Sequence, residues 1–289
     1  MHDNNLHKHG YDLDLLSQTY PDLKLHFITK EDGMISIDFT NPSSVLALNS
    51  ALLKEHYGVN HWELPTDYLS PPIPSRVDYI LHLADLVGEK NITGLDIGTG
   101  ANMIYPILGT AIYNWKMVGS EVDPESYDFA KSLQEKITMP KSRKISNIKL
   151  RFQEDRGSIL KNIIKPQELY DFTMCNPPFY NSEDEAIKAN LRKNKNLGNS
   201  VSERNFAGKS HELWCNGGEA LFVKRLIKES VAYQSQVGWF TSLISRKENL
   251  PKLEKQLTKL KATYKIVPMN SGNKKSRFIA WKFDRKPTE

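Results

Sequence analysis

Thr93-Gly94-Leu95-Asp96-Ile97-Gly98-Thr99-Gly100-Ala101-Asn102 is the stretch that decides the fold. An apolar strand runs into a glycine-rich turn and then a helix, the opening unit of a doubly wound α/β sheet. Gly98 and Gly100 let the backbone come close to a ligand, and the amides of the following turn can receive a carboxylate. The third glycine of the dinucleotide fingerprint is missing, which argues against a nicotinamide cofactor. Gly98 and Gly100 are therefore candidate ligand contacts, with Asp96 on the strand beside them.

Downstream, Lys116 to Glu121 reads as a second strand that ends in an acid. A carboxylate at that tip can accept both hydroxyls of a ribose. The plainer alternative is an acid capping the helix from Asp123 to Glu135, which Asp123 could do unaided. Ile148 to Phe152 is a third strand, and its loop, Gln153 to Ser158 with Arg156, lies where a cofactor base should sit. Tyr170 to Cys175, rich in β-favouring residues, is a fourth. It runs into Asn176-Pro177-Pro178-Phe179-Tyr180, and two prolines cannot donate to a ladder, so the strand must stop there as a stiff, polar tip.

Such a tip suits a planar amine. The Asn176 side-chain carbonyl and the Pro177 backbone carbonyl can both accept from it, while Phe179 offers a stacking face. Taken alone, the motif equally describes an Asn-Pro turn with an aromatic plug. A glycine turn, an acid and Asn-Pro-Pro-Phe at three successive strand ends are more specific together, because ligands of open α/β sheets bind at those ends. Jointly they point to an S-adenosylmethionine-dependent methyltransferase of amino groups.

The flanks read differently. Residues 1–69 form an accessory region. Leu6-His7-Lys8-His9 is a polar arm, taken as solvated in preference to a metal pair, and a short helix follows before Pro21. Met34 to Phe39 alternates as a half-buried strand, and Asn41-Pro42 starts a helix that runs to Tyr57-Gly58. Residues 70–289 are the catalytic domain. After the stiff Ser70 to Pro74, Ser75 is expected to cap a helix with Val77, Ile80, Ala84 and Val87 on its apolar face. Arg76, in its first turn, opposes the helix dipole, which makes a ligand carboxylate a fitting partner; a solvated arginine is the alternative.

Beyond the tip, 181–211 lacks periodicity and carries Lys188, Arg192, Lys193, Lys195, Arg204 and Lys209 with few acids. A helix from Gly217-Gly218-Glu219, a strand from Val237 to Leu243 and a second helix with Leu253, Leu257 and Leu260 follow. The chain ends in a hairpin, Tyr264 to Val267 and Arg277 to Phe283, around a basic loop from Asn273 to Arg277. Charge runs are usually solvated faces, but Arg246, Lys247, Lys274, Lys275 and Arg277 join the 181–211 cations beside the proposed site, the footprint of a nucleic acid. The net charge of +5 means little without that clustering. Cys175 and Cys215 form no Cys-x-x-Cys pair, so neither a disulfide framework nor a zinc site is indicated. No apolar run reaches a membrane span, and the chain reads as cytoplasmic.

These residues resemble a known family, the bacterial 23S ribosomal RNA adenine-N6 methyltransferase F family, related to eukaryotic methyltransferase-like enzymes acting on U6 small nuclear RNA. The resemblance rests on Asp38-Phe39-x-Asn41-Pro42, Pro71 to Ile80, Leu95 to Asn102, Asn176 to Phe179, Glu212 to Glu219, Trp239 to Leu243 and Lys275 to Trp281. It implies a Rossmann-like class I fold, with a seven-stranded sheet closed by an antiparallel hairpin. By similarity Arg76 and Asn102 meet the methionine end of the cofactor, Gly98 lines it and Glu121 holds the ribose. The position of Arg156 matches a cofactor-contacting loop residue of the eukaryotic relatives, and Asn176 to Phe179 hold the target adenine. The implied reaction is N6-methylation of one adenosine, by resemblance adenine 1618, in 23S ribosomal RNA or a large-subunit assembly intermediate. The enzyme is expected to be a monomer with no metal. The alternatives are a protein glutamine methyltransferase, an enzyme acting on a U6-like RNA, and an RNA-binding module that uses the cofactor structurally.

Overall fold

The computed structural model describes residues 1–65, 68–178, 217–271 and 274–284, with the side chains of 270, 271, 274 and 275 excepted. Two short strands, β1 (Phe27–Thr29) and β2 (Ile35–Ile37), pair antiparallel near the N-terminus. The main sheet contains β3 (Thr93–Ile97), β4 (Lys116–Glu121), β5 (Ile148–Phe152), β6 (Tyr170–Cys175), β7 (Val237–Leu243), β8 (Thr263–Ser271) and β9 (Lys274–Lys282). Its order is β5-β4-β3-β6-β7-β9-β8, with β9 antiparallel to both β7 and β8 and every other pairing parallel. The strand order therefore reverses between β3 and β6. That is the switch point where such sheets bind ligands. The expected seven strands and closing hairpin are present, but the hairpin arms are longer than the sequence suggested. Lys274 to Arg277 belong to β9, paired with Pro268 to Ser271, and not to a loop.

The pleat sorts side chains onto two cores. Phe278 and Ala280 join one cluster while Ile279 and Trp281 join the other. The first face is covered by α2 (Pro42–Tyr57), α3 (Ile73–Val87), α4 (Ile104–Tyr113) and α5 (Pro124–Lys136), after the short α1 (Leu13–Thr19). Asn41 caps α2 by accepting from the Ser43 amide at 2.9 Å, and Gly58 ends it in the left-handed conformation, φ +66°. Leu48, Leu52 and Leu53 of α2 are fully buried, contributing about 1.5–3 kcal/mol each. They share a core with Ile73, Ile80 and Leu108, so the 1–69 region packs directly on the sheet-bearing part of the chain.

The opposite face carries α6 (Gly218–Ser230) and α7 (Leu250–Lys259). No helix among the described residues joins β5 to β6; turns bury Leu160 and Ile163 there. The Glu229 carboxylate holds these turns by accepting from the amides of Ile159, Leu160 and Lys161. No described helix is long and apolar enough to cross a membrane.

Two sequence expectations fail locally. Ser75 does not cap α3: the helix begins at Ile73, and the Ser75 hydroxyl donates back to the Pro72 carbonyl at 3.0 Å. Ile73 is fully buried and Pro74 has its φ preset, so burial starts the helix three residues early. The N-terminal arm is not simply solvated. Asn5 and His7 are buried, with His7 Nε2 2.8 Å from the Tyr57 hydroxyl and Asn5 Nδ2 donating to Pro74 O and Asp78 Oδ1. Burial, with His56 nearby, lowers the His7 pKa to about 4, so it packs as a neutral ring. Lys8 and His9 remain exposed.

Gly94 is the tightest point of the sheet. A Cβ there would lie 2.3 Å from the Phe172 ring, itself fully buried against Trp115. Gly94→Ala is expected to destabilise the fold by about 1–3 kcal/mol in urea unfolding, and Phe172→Leu in the same chain should recover part of that loss.

Candidate active site

The glycine turn is latched to the neighbouring strand. The amides of Gly98 and Thr99 both donate to Ser120 O at 2.9 Å, and the Gly100 amide donates to Glu121 Oε2 at 2.8 Å. Gly98 and Gly100 have φ of +72° and +64°, and nothing lies within 4 Å of where a Gly98 Cβ would stand. The turn thus presents bare backbone at the end of β3.

Glu121, 6% exposed, accepts two further amides on Oε1, from Val122 at 2.8 Å and Asp123 at 2.9 Å. Burial raises its pKa while these donors oppose the shift. A carboxylate has about four acceptor positions, so roughly one remains for a ribose hydroxyl where the sequence reading allowed two. Helix α5 is capped by Asp123, which accepts from the Ser126 amide.

Asp96 is fully buried, and neither carboxylate oxygen has a hydrogen-bond partner. Burial pushes its pKa up to about 7; the neighbouring Thr99 hydroxyl and Arg76 pull the other way, and Glu121 adds repulsion. Arg76, half-buried, donates to the Tyr105 hydroxyl at 3.1 Å and lies over that ring. Asn102 Oδ1 accepts from the Ile104 amide at the start of α4, and its carbonyl accepts from the Trp62 indole at 3.0 Å. Tyr105 and Trp62 were missed in the sequence, since each meets its partner across a long chain separation.

At the end of β6, Asn176 Oδ1 is buried and unpartnered. Pro177 is buried and Pro178 partly so, while Phe179 and Tyr180 lie outside the described residues. Beneath the tip the Tyr79 hydroxyl lies 2.7 Å from Thr241 Oγ1, which donates to Thr173 O, tying α3, β7 and β6 together. Arg156 is exposed, in a turn where Arg225 donates to Gly157 O.

The basic residues divide. Because β7 is parallel to β6, the segment after β7, with exposed Arg246 and Lys247, leaves from the same edge as Asn176. Glu219, 2% exposed, fixes that segment by accepting from the amides of Ser245 and Arg246 and from Asn249 Nδ2. Arg277 joins it, reaching the carbonyls of Ile244 and Ser245. Lys188, Arg192, Lys193, Lys195, Arg204, Lys209 and Cys215 lie outside the described residues, as do the side chains of Lys274 and Lys275. A groove of about 320 Å³ lined by Lys116, Lys149 and Arg151 lies at the amino ends of these strands, the wrong end for ligand chemistry in this sheet.

Known proteins resemble this chain over nearly its whole length. A family model described as RNA methyltransferase matches residues 1–285. Ribosomal RNA large subunit methyltransferase F of Christiangramia forsetii is 54% identical, covering 98% of this chain and all of that protein. Its namesake in Pseudoalteromonas translucida is 45% identical, covering 100% of this chain and 94% of that one. Among solved structures, the hMettl16 catalytic domain in complex with a MAT2A 3′UTR hairpin superposes with a TM-score of 0.83 at 30% identity, covering 98% and 96% of the two chains. The N-terminal domain of human METTL16 in complex with SAH superposes at 0.78 and 28% identity, covering 99% of each. With its mixed seven-stranded sheet and a family match over nearly its whole length, this chain belongs to the RNA methyltransferase family.

Proposed function

We propose that this chain transfers the methyl group of S-adenosylmethionine to N6 of a single adenosine in 23S ribosomal RNA, adenine 1618 by resemblance. The observation that carries the reading is Asn176 Oδ1, a buried carbonyl with no partner at the tip of β6. Such an acceptor is unfavourable unless a donor arrives, and an exocyclic amine is a donor of the right shape. The related proteins named for ribosomal RNA and the hairpin-bound METTL16 structure support RNA as the source of that amine.

The residues at the strand ends fit the cofactor. Open space before Gly98, the two unpartnered oxygens of Asp96 and the guanidinium of Arg76 suit a polar ligand carrying both an ammonium and a carboxylate. In this reading Arg76 and Asn102 take the methionine end, Asp96 the ammonium, Gly98 and Gly100 the close backbone approach, and Glu121 a ribose hydroxyl. Arg156 borders the base. Bound S-adenosylmethionine supplies an electrophilic methyl group on a sulfonium.

Asn176 Oδ1 and the Pro177 carbonyl accept the two amine hydrogens, which orients the nitrogen lone pair and increases its electron density. The adenine must leave its stack to get there, with Phe179 as its platform. The nitrogen so held would take the methyl group that the cofactor supplies, and its surplus proton would then pass to water. We assign residues 1–69 as the accessory region, and Arg246, Lys247, Arg277 and the cations of 181–211, with Lys274 and Lys275, to phosphate contacts. The protein would work as a monomer in the cytoplasm.

Labelled S-adenosylmethionine with protein-free, unmodified 23S RNA should yield N6-methyladenosine at one site by mass spectrometry. Label appearing in protein amides instead would overturn the substrate class. Asn176→Ala should lower turnover by at least about 100-fold with cofactor affinity changed only a few-fold, since the lost acceptor serves the amine; a variant of equal activity refutes the mechanism.

Asp96 sets a pH dependence. The folded chain keeps this carboxyl protonated up to about 7, against 3.8 ordinarily, so the unfolded chain ionises first and the ligand-free fold loses stability as pH rises between those values. A cationic ligand favours the ionised form. Cofactor affinity should therefore rise by up to about tenfold per pH unit below 7 and level off above it, and Asp96→Asn should flatten the profile in calorimetric titrations.

A further inference from the structure

The N-terminal segment meets α3 at a cluster the methyl-transfer reading does not use. Asp78, His82 and Asp85 stand four and three residues apart, which puts them on one face of that helix. His2 comes over this face, with its Nε2 2.9 Å from Asp85 Oδ2. The His2 and His82 rings lie edge to face at 4.9 Å, and the ligating atoms of His2, His82 and Asp85 all fall within 4.8 Å of one another.

A second observation comes from beneath the cluster. The Asp78 side chain is 1% exposed; its Oδ1 accepts from the His2 amide and Asn5 Nδ2, but its Oδ2 is buried with no hydrogen-bond partner, 3.9 Å from His82 Nε2. A simple hydrogen bond between His2 and Asp85 explains neither the orphaned oxygen nor the convergence of a second imidazole on the same point.

We propose that His2, His82 and Asp85, with Asp78 Oδ2 as fourth donor, form a site for a divalent transition metal that staples the N-terminal segment to α3. Two imidazoles with two carboxylates are a borderline donor set, suited to a tetrahedral ion such as Zn²⁺ and not to Mg²⁺ or Ca²⁺, which prefer all-oxygen shells. Donors around tetrahedral zinc stand about 3.3 Å apart, somewhat closer than the 3.9 Å from Asp78 Oδ2 to His82 Nε2 and the 4.8 Å that bounds the other three. The role is structural: the ion fixes the arm on the helix whose first turn carries Arg76.

The test uses the full chain stripped of metal by a chelator and titrated with Zn²⁺ by calorimetry. One equivalent should bind at micromolar affinity or tighter, raise the melting temperature by several degrees, and give way to Co²⁺ with the visible absorption of a tetrahedral site. His82→Ala and Asp85→Asn should each weaken binding at least tenfold, and His9→Ala, at an exposed neighbour, should not. His2→Ala repeats the test without touching the helix, so a folding defect at His82 would not obscure the result. Absence of Zn²⁺ binding, equal affinity for Mg²⁺, or binding that survives both His2→Ala and His82→Ala would overturn the site, with no bearing on methyl transfer.

Discussion

The Glu121 carboxylate is the tie on which the site depends. By accepting the Gly100 amide from one side and those of Val122 and Asp123 from the other, it joins the glycine turn after β3 to the start of α5. The Ser120 carbonyl repeats the join through Gly98 and Thr99. A turn with two residues at positive φ would otherwise be free to move. Held in this way, it exposes its backbone in one position, and the acceptors of the site keep fixed spacings around it.

That order carries a cost. Of the six buried side-chain atoms without a partner among the described residues, five belong to Asp96, Thr99, Thr173 and Asn176, at or beneath the carboxyl edge of the sheet. Each such group costs about 1–3 kcal/mol, and the surrounding core offsets it: Leu95, Phe172, Met174 and Phe240 are fully buried around them. Donors brought to these positions would offset the penalty. The sixth orphan, on Asp78, lies apart, under the docked N-terminal arm.

The N-terminal region is more integral than its composition suggests. Leu16, Leu23 and Leu48 enter the same core as the helices on the sheet, Trp62 holds the carbonyl of Asn102, and the Tyr68 hydroxyl lies 3.0 Å from Ser126 at the start of α5. This segment therefore braces both the turn after β3 and the start of α5.

By itself the sequence determined the strands and their polar ends. Lys116–Glu121, Ile148–Phe152 and Tyr170–Cys175 follow from local β-propensity and from prolines that forbid continuation, and such signals lie within a few residues of one another. It also marked Asp96, Glu121 and Asn176 as candidate site residues by their place at or near strand ends. Only the tertiary structure decided which atoms are free. Whether Asn176 lacks a partner, whether Arg76 meets Tyr105, and whether three amides already hold Glu121 depend on groups brought together by strand order and packing. The early start of α3, the burial of His7 and the extension of β9 through its lysines share that cause. In each, the burial or pairing of distant residues outweighs a local preference for a cap, a solvated arm or a loop.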